Sequence, residues 1–175
     1  MKEEHILIAG SGGQGILLIG KLLAQAALKT ARHVTFFPSY GAEVRGGTSN
    51  CQICLSPNEI ASPVAATFDS MLLMNPASIT RYRNSMLPGG LTVFNCSLCP
   101  DCQCNAQCVG IPASERANQL GDTRVANLVM LGAFLARRKL VPPTDIESGI
   151  TAMLKRRHGS LVEINIEAFH AGLLL

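Results

Sequence analysis

Apolar and polar positions along the chain form blocks that predict strands and helices in turn. A short apolar run at residues 5–9 precedes a glycine-rich segment, and residues 16–30 then have the pattern of a helix. In that helix Lys21, Gln25 and Lys29 recur at i, i+4 and i+8, so polar residues form one narrow stripe on an otherwise apolar cylinder. We expect this helix to be buried on several sides.

Further short apolar runs predict the remaining strands, at residues 33–37, 51–56, 70–75, 91–95 and about 108–111. Pro76 begins a predicted helix that continues to about Met86, where the sequence Pro-Gly-Gly interrupts it. The last third of the chain predicts only helices. One is capped by Ser114 and stopped by Gly121, two apolar helices follow, and a terminal helix is capped by Asn165.

Strands that are apolar on both faces and alternate with helices are typical of a parallel sheet covered on both sides. The length of 175 residues suits one domain with a substantial core. We therefore predict that residues 1–175 form a single α/β domain: a doubly wound, mostly parallel, Rossmann-like sheet with helices on both faces and a helical C-terminal third.

The composition indicates a protein that is partly covered by another chain. Hydrophobic residues make up 47% of the sequence and charged residues only 15%, whereas soluble domains usually carry about 25% charged residues. The net charge of +3 is spread without a basic stripe, which argues against nucleic-acid binding. The longest apolar stretch, residues 128–136, is too short to cross a membrane, and the acidic N-terminus does not resemble a secretory signal. We expect a cytoplasmic protein whose cysteines are thiols or metal ligands.

The segment GSGGQG, Gly10 to Gly15, is here called the glycine loop. Gly10, Gly12 and Gly15 satisfy the G-x-G-x-x-G pattern between a strand and a helix. A dinucleotide site also needs an acidic residue about 20 positions further on, and the next acidic residue is Glu43. A tight turn and an anion or phosphate site both remain open. Gln14 is not needed by such a turn, so its amide could reach a ligand or a partner chain.

A second polar stretch, PSYGAEVRGGTSN at residues 38–50, is here called the second loop. Loops at the carboxyl ends of strands line the ligand crevice of an open parallel sheet, so we expect the second loop to lie beside the glycine loop. A local ion pair between Glu43 and Arg45 is the simpler interpretation of its charges. So many polar groups in so apolar a chain favour a site or an interface, formed by Ser39, Tyr40, Gly41, Glu43, Arg45, Gly46, Gly47, Thr48 and Asn50.

Three segments in order resemble the gamma subunit, or gamma domain, of 2-oxoacid:ferredoxin (acceptor) oxidoreductases. They are GSGGQG, then PSYGAEVRGGTSNCQICLS, then GDTRVANLVMLGAFL, and the resemblance extends from Ile6 to about Leu154. The family includes enzymes for pyruvate, 2-oxoglutarate, branched-chain 2-oxoacids and indolepyruvate. The resemblance implies that the glycine loop and the second loop face a shared active-site and coenzyme A region, through Gly12, Gly13, Gln14, Gly15, Glu43, Arg45, Gly46, Gly47 and Thr48.

The resemblance also implies a division of labour among subunits. The family decarboxylates a 2-oxoacid oxidatively with coenzyme A to an acyl-CoA and carbon dioxide, and passes the electrons to ferredoxin. Thiamine diphosphate, Mg and iron–sulfur clusters are held mainly by the alpha and beta subunits or a small ferredoxin-like subunit. The present chain has no G-D-G thiamine motif, since GDT at 121–123 lacks the last glycine. We therefore assign no catalytic residue to this chain. Separately, we expect that the chain could form a homodimer when it is isolated.

The seven cysteines fall into two groups. Cys51 and Cys54 lie three apart in a predicted strand, so they point to opposite faces and are expected to be core thiols. The first three members of the second group have the C-x2-C-x2-C spacing of a ferredoxin, but the fourth departs from it. Zinc, a cluster, or unliganded redox-labile thiols remain open for this group, which contains Cys96, Cys99, Cys102, Cys104 and Cys108.

Two other functional classes follow from these features. A free-standing dinucleotide-binding oxidoreductase would use the glycine loop, and a metal or redox module would use the second cysteine group. The four histidines lie apart in sequence and are expected to be capping or surface residues rather than general bases.

Overall fold

The computed structural model describes residues 2–31, 33–40, 47–100, 107–155 and 160–175. Its strands are β1 Glu4–Ser11, β2 His33–Tyr40, β3 Thr48–Ser56, β4 Phe68–Leu73, β5 Met86–Asn95 and β6 Gln107–Ile111. Its α-helices are α1 Ile16–Ala27, α2 Pro76–Tyr82, α3 Ala113–Gln119, α4 Ala126–Arg137, α5 Pro143–Leu154 and α6 Ser160–Leu173. A single 3-10 turn, Thr123–Val125, leads into α4.

The six strands form one sheet in the order β2-β3-β1-β4-β5-β6. The pairs β1-β4, β4-β5 and β5-β6 are parallel, whereas β3 is antiparallel to both β1 and β2. Only β3 is therefore reversed among these strands, and the predicted mostly parallel sheet is confirmed. Because β2 runs in the same direction as β1, the carboxyl ends of both strands lie at one edge of the sheet, together with the start of β3. We call this edge the carboxyl edge.

The larger core lies on one face of the sheet. It packs Ile6 and Ile8 of β1 against α1 and α4, and it extends to side chains of α3, α5 and α6. As the periodicity predicts, α1 is buried around most of its circumference, and Lys21 and Gln25 are its exposed positions. The second face carries a smaller cluster, in which Leu7 packs against Ile79 of α2. Helices therefore cover both faces, although unequally.

The contact between α4 and α6 is unusually close because of two glycines. A Cβ added to Gly132 would collide with the carbonyl oxygen of Phe169, and one added to Gly172 would collide with the carbonyl oxygen of Val129. In α4 every residue from Ala126 to Leu135 is buried. The helix therefore functions as a central core element of the domain.

Several predicted boundaries are wrong for local reasons. Helix α2 ends at Tyr82 rather than Met86, and the Pro-Gly-Gly sequence lies inside β5. Strand β5 begins early because Met86 pairs with Phe68 across an irregularity in the β4-β5 register. The second loop is also shorter than predicted, since β2 continues to Tyr40 and β3 begins at Thr48.

Two predicted helix caps are wrong as well. Ser114 lies inside α3, and its hydroxyl accepts a hydrogen bond from the Asn95 side chain at 2.8 Å. Asn165 lies inside α6 and donates from Nδ2 to the carbonyl oxygen of Leu161 at 2.6 Å. The predicted stop at Gly121 is confirmed: α3 ends just before it, and its φ is +89°. None of the helices in the described ranges has the length and apolarity that a membrane crossing requires.

Candidate functional site

The glycine loop connects β1 to α1 at the carboxyl edge. Gly13 and Gly15 have φ values of +93° and +71°, which favour glycine. The backbone N–H of Gln14 donates to the carbonyl oxygen of Ser11 at 3.1 Å, and the Ser11 N–H donates to Gln14 Oε1 at 2.8 Å. The side chain of Gln14 therefore supports the turn, contrary to the expectation that the turn does not need it.

Asn75 joins this turn to the end of β4. Its Nδ2 donates to Ser11 Oγ at 2.6 Å and to Gln14 Oε1 at 3.3 Å, while its Oδ1 accepts from the Ser78 N–H at 2.9 Å and caps α2. Within the described part of the chain, Gln14 Nε2 makes no hydrogen bond, so this amide retains a donor for a ligand or a partner. The sequence analysis missed Asn75, although an asparagine between a buried strand and a helix-starting proline is a cap signal.

The described part of the second loop at Gly47 and Thr48 lies beside the glycine loop, as predicted. Ser11 pairs with Thr48 in the β1-β3 register, and the Gly12 N–H donates to the carbonyl oxygen of Gly47 at 2.9 Å. Ser39 pairs with Asn50 across β2 and β3. The expected site residues therefore converge from Gly10 to Gly15 and from Gly47 to Asn50. The remaining members, Gly41, Glu43, Arg45 and Gly46, lie outside the described residues; Tyr40 is described by its backbone only.

Asn127 brings the third segment to the same place. It lies in the first turn of α4, is 3% exposed, and donates from Nδ2 to the carbonyl oxygen of Gly15 at 3.2 Å. A Cβ on Gly15 would collide with this amide. The sequence analysis did not identify Asn127 as a site residue. The available signal was its isolation: it is the only polar side chain between Val125 and Ala136.

The electrostatics of this edge favour an anionic ligand. Helix α1 begins at Ile16; its N-cap residue Gly15 makes no side-chain cap and its first turn has no acidic residue, so its first N–H groups are available to an anion. A shallow recess lies between the end of β1, the start of β3 and one side of α2, and Arg81 is its one charged lining residue in the described ranges. The recess is lined by Ala9, Gly10, Thr48, Ser49, Asn50, Ala77, Ser78, Arg81 and Tyr82.

A second arginine lies one turn before Asn127. Arg124 is exposed and pairs with Asp122, with 2.7 Å between Nη2 and Oδ2. Hydrogen bonds from Arg124 hold the pKa of Asp122 below its ordinary value. Part of the Arg124 charge is therefore already compensated, so Arg81 is the better candidate to contact an anion.

The first cysteine pair is arranged as predicted. Cys51 Sγ packs in the larger core, 3.9 Å from the carbonyl oxygen of Ile16, whereas Cys54 Sγ lies 4.0 Å from His5 Nε2 on the opposite face. Burial raises the pKa of Cys51 to about 12 and, together with nearby carboxylates, that of Cys54 to about 11. The two sulfurs cannot bind one metal ion.

The second cysteine group differs in part from expectation. Cys96 is a free thiol and Cys99 is buried, but Cys108 is disulfide-bonded and so is not the thiol that the sequence analysis expected. Cys102 and Cys104 lie outside the described residues. Among the described residues, the second group contributes no member to a cluster with metal-ligand spacing.

The family model described as pyruvate ferredoxin/flavodoxin oxidoreductase matches residues 5–175. The chain belongs to this family. It is 34% identical over 174 residues to the ketoisovalerate oxidoreductase subunit VorA of Methanothermobacter marburgensis, covering 98% of this chain and 36% of VorA. The chain therefore spans about a third of the length of that relative.

The gamma-subunit resemblance is also confirmed. The 2-oxoglutarate synthase subunit KorC of Archaeoglobus fulgidus is 30% identical, with 98% of this chain and 87% of KorC covered. The crystal structure of a keto/oxoacid ferredoxin oxidoreductase gamma subunit from Geobacter sulfurreducens superposes with a TM-score of 0.81 at 27% identity, covering 98% of this chain and 96% of that one. The chain is therefore a member of the gamma-subunit type.

A larger enzyme shares the fold. The 2-oxoglutarate:ferredoxin oxidoreductase of Magnetococcus marinus, solved with 2-oxoglutarate, coenzyme A and succinyl-CoA bound, superposes with a TM-score of 0.87 at 24% identity. The match covers 99% of this chain and 31% of that one. In that protein the gamma-type fold is one part of a longer polypeptide.

Proposed function

We propose that this chain works as the gamma subunit of a 2-oxoacid:ferredoxin oxidoreductase. The proposed enzyme decarboxylates a 2-oxoacid oxidatively with coenzyme A, forms an acyl-CoA and carbon dioxide, and passes electrons to ferredoxin. One observation carries the proposal: the three family segments meet at the carboxyl edge. The hydrogen bond from Gly12 to Gly47 joins the first two segments, and the one from Asn127 to Gly15 joins the third.

We infer that this edge binds the phosphate-bearing part of coenzyme A. Two positions at this edge are complementary to a phosphate: the uncapped N–H groups of α1 with the spare amide of Gln14, and the guanidinium of Arg81 in the recess. The described lining of the recess contains no carboxylate, imidazole or thiol, and its hydroxyls, on Thr48, Ser49, Ser78 and Tyr82, have no neighbouring base in that lining to activate them. The contribution of this chain is therefore to bind and orient a ligand.

The remaining cofactors are assigned to other subunits. Thiamine diphosphate with Mg, and the iron–sulfur clusters, supply the decarboxylation and electron-transfer chemistry of the proposed enzyme. In the described residues Cys51 and Cys54 face away from each other, which does not suit a cluster, and the sequence lacks the thiamine motif. We infer that the alpha and beta subunits, and a small ferredoxin-like subunit where one is present, hold these groups.

The surface supports association with such partners. Phe37 on the edge strand β2 is 42% exposed and Val64 is 49% exposed, in a chain with only 15% charged residues. We propose that alpha and beta subunits bury this apolar surface, that the complex is cytoplasmic, and that the chain purified alone forms a homodimer.

Reconstitution tests this proposal directly. The chain is co-expressed anaerobically with alpha and beta subunits from the same organism, and coenzyme A-dependent reduction of ferredoxin is measured with pyruvate, 2-oxoglutarate, 2-ketoisovalerate and indolepyruvate. We expect activity with at least one 2-oxoacid, and its loss when this chain is omitted. A complex that forms with full activity without this chain would overturn the proposal.

The two other functional classes provide control arms. A thermal-shift titration of the isolated chain compares coenzyme A with NAD and NADP. Stabilisation by NAD or NADP alone would instead favour a dinucleotide-binding oxidoreductase. Stoichiometric iron or zinc that disappears when Cys96 is replaced by serine would favour a metal or redox module.

A further inference from the structure

Three side chains with metal-binding atoms meet at the amino end of β1, on the edge of the sheet opposite the glycine loop. They are Glu3, His5 and Cys54, and their ligand atoms all lie within 4.8 Å of one another. His5 Nε2 is 3.0 Å from Glu3 Oε1 and 4.0 Å from Cys54 Sγ. Neither the fold comparison nor the proposed gamma-subunit function makes use of this cluster.

The sheet itself holds the cluster together. His5 and Cys54 are direct partners in the antiparallel β1-β3 register, so their side chains lie on the same face. Glu3 lies one residue before β1, and its Oε1 is 3.0 Å from His5 Nε2. The backbone N–H of His5 also donates to Asp69 Oδ2 at 3.0 Å, which ties the start of β1 to β4. The strand register therefore fixes two of the three potential metal ligands, His5 and Cys54.

The distances suit a tetrahedral ion. With a Zn–S bond of about 2.3 Å and Zn–N or Zn–O bonds of about 2.0 Å, tetrahedral ligand atoms lie roughly 3.5 Å apart for S and N, and roughly 3.3 Å apart for N and O. The observed separations of 4.0 Å and 3.0 Å differ from these values by half an ångström or less. The third separation, between the Glu3 carboxylate and Cys54 Sγ, is at most 4.8 Å against roughly 3.5 Å in a tetrahedral site, so the exposed Glu3 side chain would move toward the thiol when the ion binds.

The donor set selects the class of metal. Mg²⁺ and Ca²⁺ take oxygen ligands, whereas a thiolate, an imidazole and a carboxylate together suit Zn²⁺. The Glu3 and Asp69 carboxylates lie near the Cys54 thiol and favour a cation there, although Lys2, 3.5 Å from Asp69, offsets part of that negative charge. We propose that Glu3, His5 and Cys54 form a zinc site with a water molecule in the fourth position.

Binding at this site releases one proton. In the metal-free chain the pKa of Cys54 is about 11, so the thiol is protonated near neutral pH. When zinc binds, the S–H bond breaks, the Zn–S bond forms and the proton leaves to solvent. Lys2, Glu3, His5 and Asp69 are the charged or titratable groups facing the thiol. Zinc binding therefore displaces this proton from the thiol.

Cobalt substitution of the full chain tests the proposal. The protein is purified anaerobically with a non-thiol reductant, treated with a chelator, and titrated with Co²⁺. We expect one equivalent to give a thiolate-to-cobalt charge-transfer band and tetrahedral d–d bands, and one equivalent of Zn²⁺ to abolish them. Cys54→Ser should lose the charge-transfer band. Glu3→Gln and His5→Gln should each lower the affinity about tenfold or more.

Matched controls separate this site from the other cysteines and from general charge effects. His33→Gln and Glu59→Gln replace the same residue types elsewhere and should leave the titration unchanged. Glu3 is exposed, so Glu3→Gln provides a folded variant even if Cys54→Ser fails to fold. The absence of a charge-transfer band in the wild type would overturn the proposal. So would a band that is unaffected by Cys54→Ser, or an affinity that is unaffected by Glu3→Gln.

Discussion

The side-chain amide of Asn127 donates to the carbonyl oxygen of Gly15 across 112 positions of sequence. This bond joins the first turn of α4 to the last residue of the glycine loop. The Asn127 Oδ1 accepts from the Leu128 N–H at 2.9 Å, so both ends of the amide are used. The shape of the glycine loop therefore depends on a residue in the last third of the chain.

Replacing Gly15 by alanine should destabilise the protein more than replacing Gly13. Both glycines have positive φ, but a Cβ on Gly13 meets no atom within 4 Å, whereas one on Gly15 collides with Asn127. We expect a loss of about 1–3 kcal/mol for Gly13→Ala from backbone strain and at least about 1 kcal/mol more for Gly15→Ala. Urea unfolding of the two variants measures this difference.

A double-mutant cycle identifies the collision as the cause. Asn127→Ala alone should lower stability by about 1–3 kcal/mol, because it removes two hydrogen bonds of a side chain that is 3% exposed, one to the Gly15 carbonyl oxygen and one from the Leu128 N–H. Combined with Gly15→Ala, the total loss should be smaller than the sum, since the colliding amide is gone. Asn118→Ala, on the exposed surface of α3, serves as the control. Strict additivity would contradict the packing argument.

Gly132→Ala should disrupt the α4–α6 contact. The added methyl group would collide with the carbonyl oxygen of Phe169, and backbone cannot move aside as a side chain can. We expect a loss of about 1–3 kcal/mol in the free energy of unfolding. Gly149→Ala in α5 is the matched control, because its methyl would meet only the end of the Leu22 side chain at 3.0 Å. Gly149→Ala should be close to neutral or stabilising, because alanine has the higher helix propensity by up to about 1 kcal/mol. Equal losses for both variants would contradict the packing argument.

In the reconstituted enzyme, Gln14→Glu should weaken coenzyme A binding. The glutamate can still accept from the Ser11 N–H, but it removes the spare donor and places a negative charge beside the proposed phosphate site. We expect the KM for coenzyme A to rise about tenfold, equivalent to about 1.4 kcal/mol, with the KM for the 2-oxoacid unchanged. Gln25→Glu, exposed on α1, is the control. A rise in the KM for the 2-oxoacid alone would contradict the prediction, because it would show that the glycine loop contacts the 2-oxoacid and not coenzyme A.

Cys51 and Cys54 should resist alkylation in the folded chain. Their pKa values of about 12 and 11 exceed the ordinary thiol value of 9.0, so both thiols stay protonated at pH 8. Their contribution to the free energy of unfolding is therefore complete below pH 9 and falls as the pH rises toward those values. Iodoacetamide at pH 8, in the presence of a chelator, should label Cys96 faster than either of them. Mass spectrometry of the digested protein gives the rates. Comparable rates in folded and urea-unfolded protein would contradict this prediction.

Periodicity predicted most of the fold. The apolar runs located the strands, and the stripe of Lys21 and Gln25 on α1 predicted which side of that helix faces water. The boundaries that failed depend on partners distant in sequence. Met86 belongs to a strand because it pairs with Phe68 of the neighbouring strand. The Ser114 hydroxyl accepts a hydrogen bond from the Asn95 side chain instead of capping α3. No local pattern encodes such pairings.

The sequence predicted the two loops of the candidate site. It did not predict the two asparagine side chains, Asn75 and Asn127, that hold the glycine loop. Glycines and a loop of polar residues are visible as composition, whereas Asn75 and Asn127 act through the direction of a single side chain. Cys54 shows the same limit. Its spacing from Cys51 correctly excluded a shared metal, but only the strand register brings it opposite His5.

The reversal of β3 has a consequence for how the candidate site is assembled. Because β3 is antiparallel to both β1 and β2, its first residue Thr48 lies at the same edge of the sheet as the last residues of those strands. A parallel third strand would have required a crossover and would have placed its carboxyl end there instead. The bond between Gly12 and Gly47 therefore joins the exit of one strand to the entrance of its neighbour, so two segments more than 30 residues apart form one continuous backbone surface.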